Sequence, residues 1–133
     1  MGVSAMNHFT ILCDDLETTL AFYAEHLNLR PGKRPPFSFT GAWLYAHGGK
    51  DPILHIIDGK PKAKLVPGVI DHMAFSGKGL ISTVQRLEKM GVPYELRRLP
   101  GDWGTWQLFF HDPNGAKIEI DFDRTEPAPG GLA

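Results

Sequence analysis

The sequence predicts an α+β fold made of two tandem βαβββ modules. Three observations predict it. The chain repeats itself at an offset of 64 positions, pairing His8 with His72, Leu16 with Leu80, Thr19 with Thr83, Leu44 with Leu108 and His47 with His111. Internal periodicity of this kind marks one supersecondary unit used twice. Each copy then runs through the same order of hydrophobic periodicities, a strand, a helix and three strands. Finally, 133 residues suit one domain or two closely packed modules. A copy of roughly 60 residues alone hides only about 60% of its surface, so the two copies are expected to pack as a single domain over residues 1–133.

The elements follow in order. Residues 6–13 read as a strand, with Phe9 and Ile11 on one face and His8 and Thr10 on the other. Residues 15–28 read as a helix with Leu16, Leu20, Ala24 and Leu27 at helical spacing. Asp14 or Asp15 is its N-cap, and Glu17 sits favourably in the first turn. Pro31 to Pro36 is a punctuated connection. Strands are expected near Phe37–Phe39, Ala42–His47 and Pro52–Ile57, with Gly48-Gly49 turning between the last two. This first module covers about residues 6–58, and a linker rich in Lys, Pro and Gly covers about 59–68.

The second module, about residues 69–123, repeats the order. Ile70–Ser76 is a strand, and Leu80–Met90 is a helix with Leu80, Val84 and Leu87 on one face and Gly91 as its stop. Tyr94–Leu99, Trp106–Phe110 and Ala116–Phe122 are strands, the last two joined by the turn Asp112-Pro113-Asn114-Gly115. The tail 124–133 is rich in Pro and Gly and is expected to fray.

Composition removes several classes of function. Net charge is −1, which offers no basic surface for nucleic acid or an anionic membrane. No apolar run approaches the roughly 20 residues of a spanning helix, and the N-terminus shows no signal-peptide pattern. Cys13 is the only cysteine, so no internal disulfide forms and a cytoplasmic location is expected. Cys13 itself, in an apolar strand, reads as core.

The chemistry concentrates in four polar positions related by the repeat. His8 and His72 are 64 positions apart, as are His55 and Glu119. Strand alternation puts all four opposite a large apolar row: His55 against Leu54 and Ile56, and Lys117, Glu119 and Asp121 against Ile118, Ile120 and Phe122. Neutral imidazole and carboxylate together suit zinc, nickel, cobalt, manganese or iron, and two histidines with one carboxylate also form the facial triad of iron(II) oxygenases. His8, His72 and Glu119 are the expected metal ligands. His55 is a fourth candidate, its plainer role being a cavity histidine that meets substrate or satisfies the interior.

These residues resemble the vicinal oxygen chelate superfamily, which includes glyoxalase I, extradiol dioxygenases, fosfomycin-resistance transferases, methylmalonyl-CoA epimerase and bleomycin-resistance proteins. The resemblance spans about residues 6–122, and its marks are the histidine before FTILCDDLETTLAFY, then DHMAF and QLFFHDPNGAKIEI. Within the family, RPPFSFTGAWLYAHGG followed by ILHII is most similar to glyoxalase-I-like proteins. The resemblance implies curled mixed sheets around a central metal cavity, one divalent metal per site, and a homodimer, whose modules can also pair across chains. By position it implies His8, His72 and Glu119 as ligands. His55 stands where glyoxalase I usually has a glutamate, so one of the two proton-shuttling glutamates is absent and Glu119 remains.

The function expected first is a glyoxalase-like lyase or isomerase acting on a small substrate that chelates the metal through vicinal oxygens, with Glu119 as ligand and general base. The alternatives are an Fe(II)-dependent extradiol-type ring-cleaving dioxygenase, a drug-binding protein without catalysis, and thiol transfer to an epoxide antibiotic. Trp43, Tyr45, Gln107, Trp103 and Trp106 are the candidate substrate-binding residues. Trp43 and Tyr45 share a face, Gln107 is the repeat partner of Trp43, and Trp103 and Trp106 flank Gly104 in a segment suited to a pocket rim. Arg30, Lys33 and Arg34 form a basic cluster, read as solvated surface. Arg97 and Arg98 fall on opposite strand faces, His47 and His111 share a structural role at strand ends, and His26 is expected to be exposed.

Overall fold

The computed structural model describes residues 1–61 and 68–130. Most of the expected linker and the last three residues of the tail lie outside the described residues. The chain divides into two compact units, residues 1–63 and 64–133, which coincide with the two repeats. Each unit is a βαβββ module carrying one open, mixed four-stranded sheet.

In the first unit, β1 (Phe9–Leu12) leads into α1 (Leu16–Leu27), followed by β2 (Arg30–Pro31), β3 (Gly41–Tyr45) and β4 (Pro52–Ile57). The sheet order is β1-β4-β3-β2, with β1 parallel to β4 and the other pairs antiparallel. Asp15 caps α1, its carboxylate accepting from the Thr18 N–H at 3.1 Å and the Thr18 hydroxyl at 2.9 Å. The helix stops at Asn28, whose φ of 52° is the left-handed conformation that a short amide side chain tolerates. The buried stripe of α1 is Thr19, Tyr23 and His26, while Leu16, Leu20, Ala24 and Leu27 are half-buried. His26 is therefore buried rather than exposed, at 3% exposure. It follows Tyr23 and Thr19 at helical spacing, and its ring lies 4.6 Å from that of Phe22.

The second strand of this module is not Phe37–Phe39. It is Arg30–Pro31, paired with Tyr45 and Leu44. Pro35 and Pro36 deny ladder donors before Phe37, and the Phe37 N–H turns back to the Pro35 carbonyl at 2.8 Å. The 64-residue offset carries Tyr94–Arg98 onto positions 30–34, where Pro31 and Gly32 cut the strand short.

In the second unit, β5 (Met73–Gly77), α2 (Leu80–Lys89), β6 (Tyr94–Arg98), β7 (Trp106–His111) and β8 (Lys117–Phe122) form the order β5-β8-β7-β6. α2 buries Leu80, Thr83, Val84 and Leu87, the expected face. Asp112 builds the β7–β8 turn by accepting from the Asn114 and Ala116 N–H groups, each at 2.8 Å. The tail is tied down rather than frayed as far as Pro129. The Glu126 carboxylate receives the Gly79 and Leu80 N–H groups at 3.0 and 2.7 Å, its carbonyl receives Trp106 Nε1 at 3.1 Å, and Pro129 is buried.

Cys13 is core, 1% exposed. Burial, then a hydrogen bond from its thiol to Asp58, pushes that thiol up to about 11. An acid whose folded pKa is raised ionises more readily in the unfolded chain, so its contribution to stability is complete below about pH 9 and falls as pH rises toward about 11. Native protein at pH 8 is expected to leave Cys13 untouched by an aromatic disulfide reagent, and denaturant is expected to release one reactive thiol. Rapid native labelling would show the thiol to be accessible.

Candidate functional site

β4 pairs with both its neighbours through His55, which stands opposite Thr10 on β1 and Trp43 on β3. The side chain emerges on the face opposite buried Leu54 and Ile56. Its ring is sandwiched, 3.7 Å from His8 and 4.1 Å from Trp43 with interplanar angles of 13° on both sides. Trp43 in turn leads to Phe37 at 6.1 Å, and Phe37 stacks on Phe39 at 4.9 Å. The first unit thus presents a ladder of five rings ending in the His55–His8 pair. Nε2 of His55 is buried with no hydrogen-bond partner among the described residues. Burial, and then the neighbouring His8, hold its pKa below the usual imidazole range, so the ring is neutral and Nε2 or its proton is available to a ligand.

In the second unit the pair is His72 and Glu119. Glu119 on β8 is buried, 6% exposed, and lies across from Ala74 on β5 and Phe109 on β7. His72 precedes β5, and its Nε2 is 3.2 Å from Glu119 Oε1. Its Nδ1 meets Asp71 Oδ2 at 2.8 Å, and the same oxygen takes Lys117 Nζ at 3.2 Å. These two partners hold the Asp71 carboxyl below the usual carboxylate range, so Asp71 is an acceptor and Nδ1 must carry the proton. Nε2 of a neutral His72 then turns a lone pair toward a carboxylate oxygen at 3.2 Å. Two acceptors at that distance require a cation between them, either a proton or a metal. His8 repeats the arrangement, with its Nδ1 2.7 Å from Asn7 Oδ1. Asn7 and Asp71 are themselves 64 positions apart, so the brace on each histidine belongs to the repeat.

The expected substrate contacts divide. Gln107 is on the Glu119 face, with Nε2 3.5 Å from Glu119 Oε1. Trp43 is in the ring ladder. The Tyr45 hydroxyl is spent on the Lys33 carbonyl at 2.6 Å. Trp103 is 74% exposed in the turn before β7. Trp106 does not belong to a pocket rim. Alternation along β7 places it with Leu108 and Phe110 on the face away from Glu119, where it is 3% exposed, covered by Arg98 at 4.0 Å and bonded to Glu126.

Two residues on this face were not singled out by the sequence. Asp121 follows Glu119 on the same side of β8, and burial, then the Glu119 carboxylate beside it, raise its pKa. The alternation of the strand already carried that signal. Phe109, flat beneath Arg97 at 4.4 Å and edge-on to His72 at 5.7 Å, had none, because an aromatic in a strand reads as core. Among the described residues no three His, Cys, Asp or Glu side chains form a group that could hold a metal ion. Each unit thus presents one donor pair, His8 with His55 and His72 with Glu119. No helix among the described residues is long and apolar enough to cross a membrane.

Comparison with known proteins agrees with this architecture. The family model described as "Glyoxalase/Bleomycin resistance protein/Dioxygenase superfamily" matches residues 5–120. "Glyoxylase I 4" of Arabidopsis thaliana is 33% identical over 125 residues, covering 90% of this chain and 71% of that protein. A solved glyoxylase/bleomycin resistance protein/dioxygenase domain from Frankia sp. EAN1pec superposes with a TM-score of 0.71 at 25% identity, covering 95% of this chain and 96% of the other. A fosfomycin resistance protein from Listeria monocytogenes, solved with Mn(II) and 1S,2S-dihydroxypropylphosphonic acid, shares the fold at a TM-score of 0.70 and 17% identity, covering 92% and 94% of the two chains. The chain belongs to the glyoxalase/bleomycin resistance protein/dioxygenase superfamily.

Proposed function

We propose that this protein is a metal-dependent lyase or isomerase of the glyoxalase type, acting on a small substrate with two vicinal oxygens. The observation that carries the reading is the His72–Glu119 pair. A histidine with its Nδ1 proton committed to Asp71 faces a buried carboxylate at 3.2 Å, an arrangement that calls for a cation. The partnerless Nε2 of neutral His55, and the matching brace of Asn7 on His8, support it from the first module. The donor set of imidazole nitrogens and a carboxylate oxygen fits a divalent metal. The second module holds the pair His72 and Glu119, and the first module holds the repeat-related pair His8 and His55. When bound, the metal supplies Lewis acidity to the substrate oxygens.

The chain's own residues do the rest. A Glu119 oxygen takes the proton from the substrate carbon that bears the hydroxyl and delivers it to the neighbouring carbonyl carbon, while the hydroxyl proton passes to the neighbouring oxygen, so that carbonyl and hydroxyl exchange places. Gln107 donates toward the same carboxylate and fixes its plane. The similarity to a protein named for glyoxalase I supports this chemistry, and membership of the superfamily supports a small-molecule substrate and a homodimer.

Elemental analysis of tag-free protein tests the metal. Near-stoichiometric divalent ion is expected in the wild type and its loss in the His72→Ala/Glu119→Ala variant. Protein that takes up no zinc, nickel, cobalt, manganese or iron on reconstitution would overturn the reading.

A further inference from the structure

We infer that the two donor pairs are unequal: the second module is the principal seat of the metal, and Asp71, clamped by Lys117, is the positioning residue that makes it so. The inference rests on the metal reading proposed above. It comes from how the repeat has diverged around its four donors. At the offset of 64, Asp71, His72, Lys117 and Glu119 fall on Asn7, His8, Ile53 and His55. Three of the four positions in the second set are acidic or basic, and their counterparts in the first are an amide, an aliphatic chain and an imidazole.

The second set closes into one chain of contacts. Lys117 Nζ is 3.2 Å from Asp71 Oδ2, the same oxygen is 2.8 Å from His72 Nδ1, and His72 Nε2 is 3.2 Å from Glu119 Oε1. Strand pairing prepares it. β5 and β8 run parallel with Met73 beside Ile118 and Ala74 beside Glu119, so His72, just before β5, comes level with Lys117. Phe109 backs both, its ring 5.7 Å from that of His72 and 5.3 Å from Lys117 Nζ. The Asp71 side chain is 61% exposed, so burial does not hold it in place and the ammonium does. A bond from Nδ1–H to a carboxylate is charge-assisted, roughly twice as strong as one to an amide, and it makes Nε2 the better donor to a metal. Asn7 offers His8 only the amide bond, at 2.7 Å, and Ile53 supplies no clamp. The first pair also lacks a carboxylate, and its two rings stack on each other at 3.7 Å. A divalent ion therefore finds an anionic ligand and a braced imidazole only in the second module.

Zinc affinity of the tag-free protein, measured by competition with a chromophoric chelator, provides the test. Asp71→Ala is expected to weaken zinc about 10–100-fold, the usual cost of removing the outer partner of a ligating histidine. Asn7→Ala, the same cut in the first module, should cost less. Asp71→Asn, which copies the first-module brace into the second, should recover part of the loss. Lys117→Met separates position from charge. Charge alone predicts tighter zinc once a nearby cation is gone, whereas release of Asp71 predicts weaker zinc. Proton NMR of the zinc-saturated protein supplies the signature, a slowly exchanging Nδ1–H of His72 that is present in the wild type and lost in Asp71→Ala. Equal affinity in wild type and Asp71→Ala overturns the inference, as does a loss in Asn7→Ala as great as in Asp71→Ala, or tighter binding in Lys117→Met. Wild-type protein that binds neither zinc nor another divalent ion is a different failure, because it strikes the metal reading itself and this inference with it.

Discussion

On the proposed isomerase reading, with a hemithioacetal as test substrate, Glu119→Gln is expected to lower kcat by about 10²–10⁴, the usual contribution of a positioned general base. Glutamine keeps the size of the side chain and an oxygen for the Gln107 amide, which now lies 3.5 Å from Glu119 Oε1. What it removes is the capacity to accept a proton, together with the charge that faces His72 at 3.2 Å. The loss should fall on kcat and kcat/KM together, because proton abstraction is made only in the transition state. Glu119→Asp separates charge from position. It retains the carboxylate but withdraws it by one methylene, and a displacement of about 1 Å at a reacting group costs on the order of 10²-fold. Metal content measured on the same preparations distinguishes a lost base from a lost ligand. Turnover that survives Glu119→Gln at full metal occupancy would sink the isomerase reading.

The module order and most element boundaries were legible because burial on a sheet or helix face writes itself into the sequence as periodicity. The repeat added what periodicity could not, since it paired His8 with His72 and His55 with Glu119. The misplaced strand at Phe37–Phe39 shows the limit. Two aromatics at period two look like a strand, yet the preceding prolines cannot supply ladder hydrogen bonds, and the ring stack of Phe37 and Phe39 forms in a loop. Trp106 failed for a related reason. Proximity to Gly104 suggested a rim, whereas its own strand parity already placed it opposite Glu119. His26 was misjudged because residue type outweighed position on the helix. The bracing of His72 by Asp71 was present in the repeat, as Asn7 and Asp71, but its meaning depended on a side-chain direction that no sequence pattern carries. The clasp formed by Glu126 was invisible, because it joins residues 46 and 47 positions apart through side-chain contacts.

That clasp leads to the second large effect. Glu126→Ala is expected to destabilise the protein by about 2–3 kcal/mol, from the loss of charge-assisted hydrogen bonds at a helix N-terminus. The N-cap of α2 is Gly79, with φ at 86° and no side chain to bond the free N–H groups. Glu126 supplies the missing acceptor, taking Gly79 N–H at 3.0 and 3.2 Å and Leu80 N–H at 2.7 Å. Leu80 is fully buried, so water cannot readily replace the carboxylate there. A cap supplied by the N-cap residue itself is barred, because a side chain at Gly79 would be strained at that φ and its Cβ would meet Ser82 Oγ at 2.9 Å. Glu126→Gln keeps an acceptor and loses the charge, so about half the effect should remain. Urea unfolding measures both, as a lowered midpoint with an unchanged slope. A midpoint equal to wild type in Glu126→Ala would show the clasp to be energetically idle. Fluorescence separates local release from global weakening, because Trp106 Nε1 bonds the backbone carbonyl of residue 126, which both substitutions preserve. In a background with Trp43 and Trp103 replaced by Phe, Trp106 emission should shift to the red in native Glu126→Ala if the strap lets go. It should stay in place if the strap holds through its backbone and only α2 loses its cap.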